Sequence, residues 1–306
     1  MWCMHLFVLF LASLAALSAE TVAKAKTSPA VDSAVASCPG TVSFYAKNLE
    51  SGTVLGRNED ERVRTASTIK LPIMAATFAA IADGKGQWTD TVTMTGEDKV
   101  SGTGVIRELS AGTKLPIRDL VHMMIVVSDN TATNLVLDRF NADLVNSYLV
   151  KFGMQQTKAL RKILGDGRNL KPTPTGQSKE GLTEEYRKYG IGVSTPREMG
   201  VLLEKLERGE IVSPEASKEM IAILKRQQDN AGMQRLLPYP IASKAGALEK
   251  LRADVGIVYT PTGRIVLAMT VDDLPSAGYK PDNPGLLCLA NLAKALVADL
   301  SPKKAD

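Results

Sequence analysis

Apolar and polar positions follow two rhythms along this chain, and the switch between them divides it into three parts. At the front, Thr27 to Ser37 reads as a short helix closed by Cys38-Pro39-Gly40. Two alternating runs, Thr41 to Lys47 and Thr53 to Gly56, then flank Asn48-Leu49-Glu50-Ser51-Gly52 and predict a β-hairpin. The middle is helical. An apolar helix covers Ile73 to Ile81 and ends near Asp83-Gly84-Lys85-Gly86, and after the loop-like Met94 to Gly104 a second apolar helix spans Ile117 to Val127. Ser128-Asp129-Asn130 caps that helix, and Ala132 to Phe140 begins another. Asp166 to Lys188 is polar, with prolines and glycines, and predicts an extended surface loop of the length that usually serves function or motion. Ser194-Thr195-Pro196-Arg197-Glu198 starts a helix to about Arg208, and Pro214 to Arg226 supplies the next. The end returns to alternation. Ile241 to Ala247, Ala253 to Thr260 and Ile265 to Val271 read as strands, the last two joined at Pro261-Thr262-Gly263-Arg264, before an amphipathic helix from Leu286 to Leu300. Strands at both ends with helices between them predict an α/β chain of the α+β type. Five antiparallel strands from both termini form one sheet lobe, about 27–64 and 210–300, flanked by helices, and an all-helical lobe is inserted at about 65–209.

Composition narrows the classes of function. A chain of 306 residues, 44% hydrophobic, buries a large core, and a net charge of +4 with scattered Lys and Arg and 5% aromatics gives no support for nucleic-acid binding. The apolar run Leu6 to Leu17, followed by Leu17-Ser18-Ala19, reads as a secretory signal over residues 1–19, leaving one domain over 20–306 that is periplasmic or secreted and not membrane-bound after cleavage. Cys3 leaves with that segment. Cys38 and Cys288 remain, either as a candidate bridge or as two unpaired buried thiols. His122 is then the single remaining histidine, in the apolar run Leu120 to Val127 where a lone His is most often a packed core residue. No His/Cys cluster exists to hold zinc, and no cofactor is implied.

Chemistry concentrates at Thr65-Ala66-Ser67-Thr68-Ile69-Lys70-Leu71-Pro72, where Ser67 and Lys70 stand three apart at the start of a helix and share a face. A serine hydroxyl needs an adjacent base. Lysine serves only when neutral, which requires its pKa to fall about three units from ~10.4, a cost of roughly 4 kcal/mol that burial and neighbouring positive charge must supply. The spacing alone proves little, since a chain this long shows one or two by chance, and Ser301 to Lys304 is another.

Two further motifs follow in order, Ser128-Asp129-Asn130 between helices and Lys244-Ala245-Gly246 on a strand. Separately these are a common capping cluster and ordinary strand-edge sequence. Together with Leu71-Pro72, Thr131-Ala132-Thr133-Asn134 and Ser194-Thr195-Pro196-Arg197, the set resembles the signature of class A β-lactamases and related penicillin-binding proteins over roughly residues 38 to 300. The resemblance implies a Ser67 nucleophile, a Lys70 base, an oxyanion hole from the backbone N–H groups of Ser67 and Ala247, and Ser128 passing a proton to the leaving nitrogen. It further implies Asn130, Lys244, Ala245, Gly246, Ala247 and Arg252 as substrate-binding residues, with Asn134 bracing the cleft and the long loop. It also implies a Cys38–Cys288 disulfide, because the two helix ends carrying them adjoin neighbouring strands.

Two departures stand out. Ala245 replaces the hydroxyl residue of the family's third motif, a loss worth ~1 kcal/mol of substrate binding. The family's Glu-x-x-Leu-Asn, whose Glu activates the deacylating water, has as its counterpart Ser178-Lys179-Glu180-Gly181-Leu182-Thr183, with Glu180 one residue out of register and Asp166, Glu184 and Glu185 as competitors. The implied function is a serine hydrolase that opens β-lactam rings through a Ser67 acyl-enzyme. Its alternatives are a penicillin-binding DD-peptidase or transpeptidase with slow deacylation, or a β-lactam-binding or sensing protein without turnover. The implied partner is a small β-lactam or a peptidoglycan-like peptide, and the chain is expected to be a monomer.

Overall fold

A computed structural model describes residues 25–165, 176–276 and 278–301. The predicted leader and Asp166 lie outside the described residues. Helix α1 (Pro29–Ala36) leads into β1 (Thr41–Asn48) and β2 (Val54–Arg57), and β3 (Val63–Arg64) precedes a 3-10 turn, Ala66–Ile69, that runs straight into α2 (Lys70–Ala82). A small hairpin, β4 (Thr91–Thr93) and β5 (Lys114–Pro116), introduces α3 (Ile117–Val126), α4 (Asn130–Phe140) and α5 (Ala142–Lys151). The short strands β6 (Lys158–Ala159) and β7 (Gly192–Ser194) bracket the long loop, and then come α6 (Pro196–Glu207) and α7 (Pro214–Leu224). The chain ends with β8 (Ile241–Leu248), β9 (Leu251–Thr260), β10 (Gly263–Asp272) and α8 (Pro284–Leu300).

Local sequence explains where the helices begin. Ser28-Pro29, Thr195-Pro196, Ser213-Pro214 and Asn283-Pro284 each place a capping side chain before a proline in the first turn, and in each the cap accepts a backbone N–H of that turn. Proline there forfeits only an N–H that lacks an intrahelical partner. Helix α5 was not distinguished in the sequence. It starts at Asn141, which sits at φ 42° and accepts the N–H of Leu144, so one residue turns the chain sharply after α4.

The five-stranded antiparallel sheet has the order β2-β1-β10-β9-β8, built from both ends of the chain as predicted. Its join is the β1–β10 ladder, where Phe44 faces Met269 and Ala46 faces Leu267. Alternation sorts the two faces. Phe44, Leu267 and Met269 meet Leu289, Leu292 and Leu296 of α8 and Val31 of α1. Ala242, Ile257 and Ala268 meet the larger core that extends through α2, α3, α4 and α6. Helix α6, assigned by sequence to the helical lobe, lies against β1, β9 and β10. Within the helical core α2 is enclosed on every side, with each residue from Lys70 to Ala80 buried. Such a helix must sit at the centre of its lobe, and whatever heads it is carried in as well. Among the described residues no helix is long and apolar enough to cross a membrane.

Cys38, after α1, and Cys288, in the first turns of α8, are bonded with Cα atoms 5.2 Å apart, closing a loop with a sequence separation of 250. Chain entropy assigns such a closure about 5 kcal/mol. Thiol titration of unfolded, unreduced protein lacking the first nineteen residues should find no free thiol. Reduction should lower the thermal midpoint, and two titrating thiols would exclude the bridge.

Candidate active site

The site forms where the head of α2 meets the α3–α4 turn and the edge strand β8. Ser67 lies in the 3-10 turn ahead of α2, partly exposed, after Ala66 at φ 46°. A non-glycine residue in that region costs energy and persists only where surrounding contacts impose it. Strand β8 imposes it here. A Cβ at Gly246 would fall 2.9 Å from the Thr65 carbonyl oxygen and 3.0 Å from the amide nitrogens of Ser67 and Thr68. Only glycine lets the strand lie this close to the serine's own N–H.

Lys70 is fully buried one turn behind Ser67. Its Nζ donates to the Ser128 carbonyl oxygen at 2.7 Å, Ser128 Oγ at 3.1 Å and Asn130 Oδ1 at 3.0 Å. Burial pushes its pKa well below the ordinary lysine range, the charge of Lys244 adds to the depression, and Asp129 opposes it. These are the two sources that a neutral lysine requires. Ser128 itself sits at φ 54°, so the turn that presents it is also held in an uncommon conformation. Asp129 caps α4 and with Oδ2 accepts the N–H groups of Val105 and Ile106.

Lys244 is equally buried, and its Nζ donates to the Ala245 carbonyl at 2.7 Å. Burial lowers its pKa to about 8 against the pull of Asp229 and Asp254. Asp254 pairs with Ala245 across β8–β9, and burial raises its pKa to about 7. Its Oδ2 accepts the Met233 N–H, and among the described residues its Oδ1 has no hydrogen-bond partner.

The other expected residues divide. Asn130 joins the cluster, but its amide is engaged internally, with Nδ2 donating to the Ser101 carbonyl at 3.0 Å. Asn134 spans α4 and the loop chain through both backbone groups of Ile163, at 2.8 Å each. Ala245 is buried and Ala247 exposed on the edge strand. Arg252 does not join. It is 1% exposed, donates to the carbonyls of Leu248 and Leu251 at 2.6 Å and to that of Gly278, and stacks under Tyr279. Those donors are committed to the protein itself. Glu180 does not join either. Its carboxylate faces Asn146 at 3.5 Å and Lys158 at 3.8 Å, while Glu184 pairs with Arg187 and Glu185 with Arg62. His122 lies on α3, its pKa lowered by burial and then by Arg226 and Arg118.

Sequence reasoning passed over Thr103, whose Oγ1 donates to the Ser128 carbonyl at 2.7 Å and approaches Asn130 Oδ1 at 3.2 Å. The flanking Gly102 and Gly104 were the available signal, since paired glycines mark a backbone that must pass close to something.

A family model described as the β-lactamase enzyme family matches residues 26–300. β-Lactamase L2 of Stenotrophomonas maltophilia is 26% identical over 268 residues, covering 82% of this chain and 80% of that protein. A β-lactamase structure from Sphaerobacter thermophilus superposes with a TM-score of 0.74 at 30% identity, covering 89% of this chain and 95% of that one. PBP-A superposes with a TM-score of 0.71 at 26% identity, covering 88% and 93%. A PBP-A variant is also known as an acyl-enzyme complex with penicillin G.

Asp254 gives a pH test of the buried charges. Between its ordinary pKa of 3.8 and about 7 the folded chain holds a proton that the unfolded chain has lost, so stability falls as pH rises through that window. Asp254→Asn keeps the shape and removes the titration. Unfolding free energies from urea titrations should change between about pH 4 and about pH 8 more favourably in the variant, by up to about 4 kcal/mol, because it lacks this loss. An unchanged difference would mean that Asp254 titrates normally.

Proposed function

The chain belongs to the β-lactamase enzyme family, and from that premise we propose that it is acylated on Ser67 by β-lactams and releases the acyl group slowly. The observation that supports acylation is the Lys70 amine, wholly buried, depressed in pKa and hydrogen-bonded to Ser128 and Asn130. Neutral Lys70 takes the proton of Ser67 as Oγ adds to the strained amide carbonyl. The developing oxyanion is held by the backbone N–H groups of Ser67 and Ala247, beside the close approach of Gly246. Removing one such donor typically costs ~3 kcal/mol. The amide C–N bond then breaks, and Ser128 delivers a proton to the nitrogen with Lys70 as its neighbour at 3.1 Å. Lys244 contributes its field, and Asn134 braces the loop.

Slow release is favoured by the loop. Among the described residues no loop carboxylate turns toward Lys70, because Glu180, Glu184 and Glu185 face other partners. The residue that Asn134 ties down, one helical turn along α4 from Asn130, is the aliphatic Ile163. Without a base to activate water the ester outlives its formation. This is penicillin-binding behaviour. The competing reading, turnover as a β-lactamase, is favoured by the names of the Sphaerobacter and Stenotrophomonas relatives.

Intact-mass spectrometry over time after adding penicillin G distinguishes them. A persistent adduct, absent in Ser67→Ala, is expected, and Ile163→Glu should shorten its lifetime on the order of a hundredfold. A transient adduct with steady product release in the unaltered chain would establish turnover. No adduct at all would end the β-lactam reading.

A further inference from the structure

Counting protons around Lys70 exposes a requirement that the three-motif scheme leaves unmet. An ammonium has three N–H donors, and three acceptors stand around this one, Ser128 O, Ser128 Oγ and Asn130 Oδ1, at 2.7, 3.1 and 3.0 Å. In that state the nitrogen has no lone pair to receive a proton. A neutral amine has two N–H groups and one lone pair. Once the lone pair turns toward Ser67, at least one of the acceptors loses its donor, and a buried acceptor left bare is costly.

Two of the three have a second donor within reach. Thr103 Oγ1 lies 2.7 Å from Ser128 O and 3.2 Å from Asn130 Oδ1, the same two oxygens that Lys70 holds. One hydroxyl proton serves one of them at a time. The loop that carries Thr103 is clamped to the motif. Asn130 donates its backbone N–H to the Thr103 carbonyl at 3.0 Å, and Val105 and Ile106 donate theirs to Asp129. Gly102 and Gly104, at φ 98° and 112°, pass so close that a Cβ at either would press on Asn130 Nδ2 or Asp129 Oδ2. This geometry holds the threonine oxygen against both acceptors.

We propose that Thr103 is a positioning residue for acylation, its hydroxyl proton swinging onto whichever of Ser128 O and Asn130 Oδ1 the neutral Lys70 releases. This rests on Lys70 being the base for Ser67. The proton balance closes. Ser67 gives its proton to the Lys70 lone pair as the bond from Oγ to the carbonyl carbon forms. Lys70 regains its third donor, and the Thr103 proton yields without leaving its oxygen. Removing the hydroxyl penalises only the neutral amine, so Lys70 binds its proton more tightly. The charged groups whose fields reach Lys70 are Lys244 on β8 and Asp129 in the α3–α4 turn, and both are untouched by a change at Thr103.

The test is Thr103→Val beside Thr103→Ser, each checked for folding by circular dichroism. The acylation rate constant for a fluorescent penicillin is measured from about pH 5 to about pH 10. In parallel, protein labelled with carbon-13 at the lysine Cε positions is titrated by NMR, with Lys70→Arg assigning the resonance. The valine variant should move the acid limb of the rate profile and the Lys70 midpoint up by about one unit, tenfold in rate below the limb, with the alkaline plateau kept. The serine variant should restore both. An equal loss of rate at every pH with the Lys70 midpoint unmoved would overturn the proposal and leave Thr103 as a loop pin. Failure of serine to restore the midpoint would overturn it as well. If the unaltered chain is not acylated while the Lys70 midpoint still follows the Thr103 hydroxyl, the acylation reading falls and the exchange of donors stands.

Discussion

Removing a lysine ammonium from water is the constraint on which this site depends. Helix α2 is apolar around its whole circumference, so the helical lobe closes over it completely and Lys70 at its head is enclosed too. Burial alone would make that position intolerable for a charged group. The chain answers with acceptors from the α3–α4 turn and with a second buried lysine, Lys244, whose field disfavours the charge further. Lys244 therefore biases Lys70 toward the neutral form, while Lys244 itself is lowered to about 8 by burial. Asp254 and Asp229 limit the effect from the Lys244 side, and Asp254 is itself driven up to about 7 by burial.

The second constraint is distance between backbones. The Ser67 turn and strand β8 approach so closely that a Cβ at Gly246 would press on the Thr65 carbonyl and crowd the Ser67 and Thr68 amides. Ala66 and Ser128, both at positive φ, are the two strained residues of the cluster, and each is held by contacts from a different element. Such strain is affordable because the framework beneath is redundant. The sheet is joined through the long β1–β10 ladder, α8 and α1 cover one face, and the Cys38–Cys288 bond ties those two helices. Arg252 has a part in this frame. Its guanidinium gathers three carbonyls around the β8–β9 turn and Gly278, a structural use for a side chain that the family resemblance had implied for substrate binding.

What could be read from sequence was whatever is written locally. The period-2 runs gave the five strands, the Thr195 cap before Pro196 gave the start of α6, and the order of Ser67, Ser128 and Lys244 motifs gave the cluster that the fold assembles. What could not be read depends on where side chains turn after packing. Glu180 has a plausible neighbourhood in the sequence, but Asn146 and Lys158 lie on its side of the loop and take its carboxylate. Arg252 is eight residues from Lys244 on the next strand, a spacing that fits either an internal or an outward guanidinium. Helix α5 was lost because Asn141 breaks the direction without breaking the helical composition. Thr103 carried no chemical motif, its flanking glycines marked only a close-passing backbone, and the distances to Ser128 and Asn130 reveal its place.

In the proposed reaction, formation and release of the acyl group are held by separate parts of this chain. Everything assigned to formation hangs from core helices and the sheet: Ser67 and Lys70 from α2, Ser128 and Asn130 from the α3–α4 turn, Lys244 and Gly246 from β8. Lys70, Asn130, Lys244 and Gly246 are buried, and Ser67 and Ser128 are half-buried on the turns beside them. Release depends instead on a loop whose described tether near the site is the Asn134 amide on the Ile163 backbone. A backbone tether specifies where the residue sits and is indifferent to which side chain it carries. Chemistry at that position can change, from aliphatic to acidic, with little effect on the buried network that makes Ser67 reactive. The same fold can thus serve a lasting trap or a turning-over enzyme, and the difference is decided by a side chain outside the core that the family likeness records.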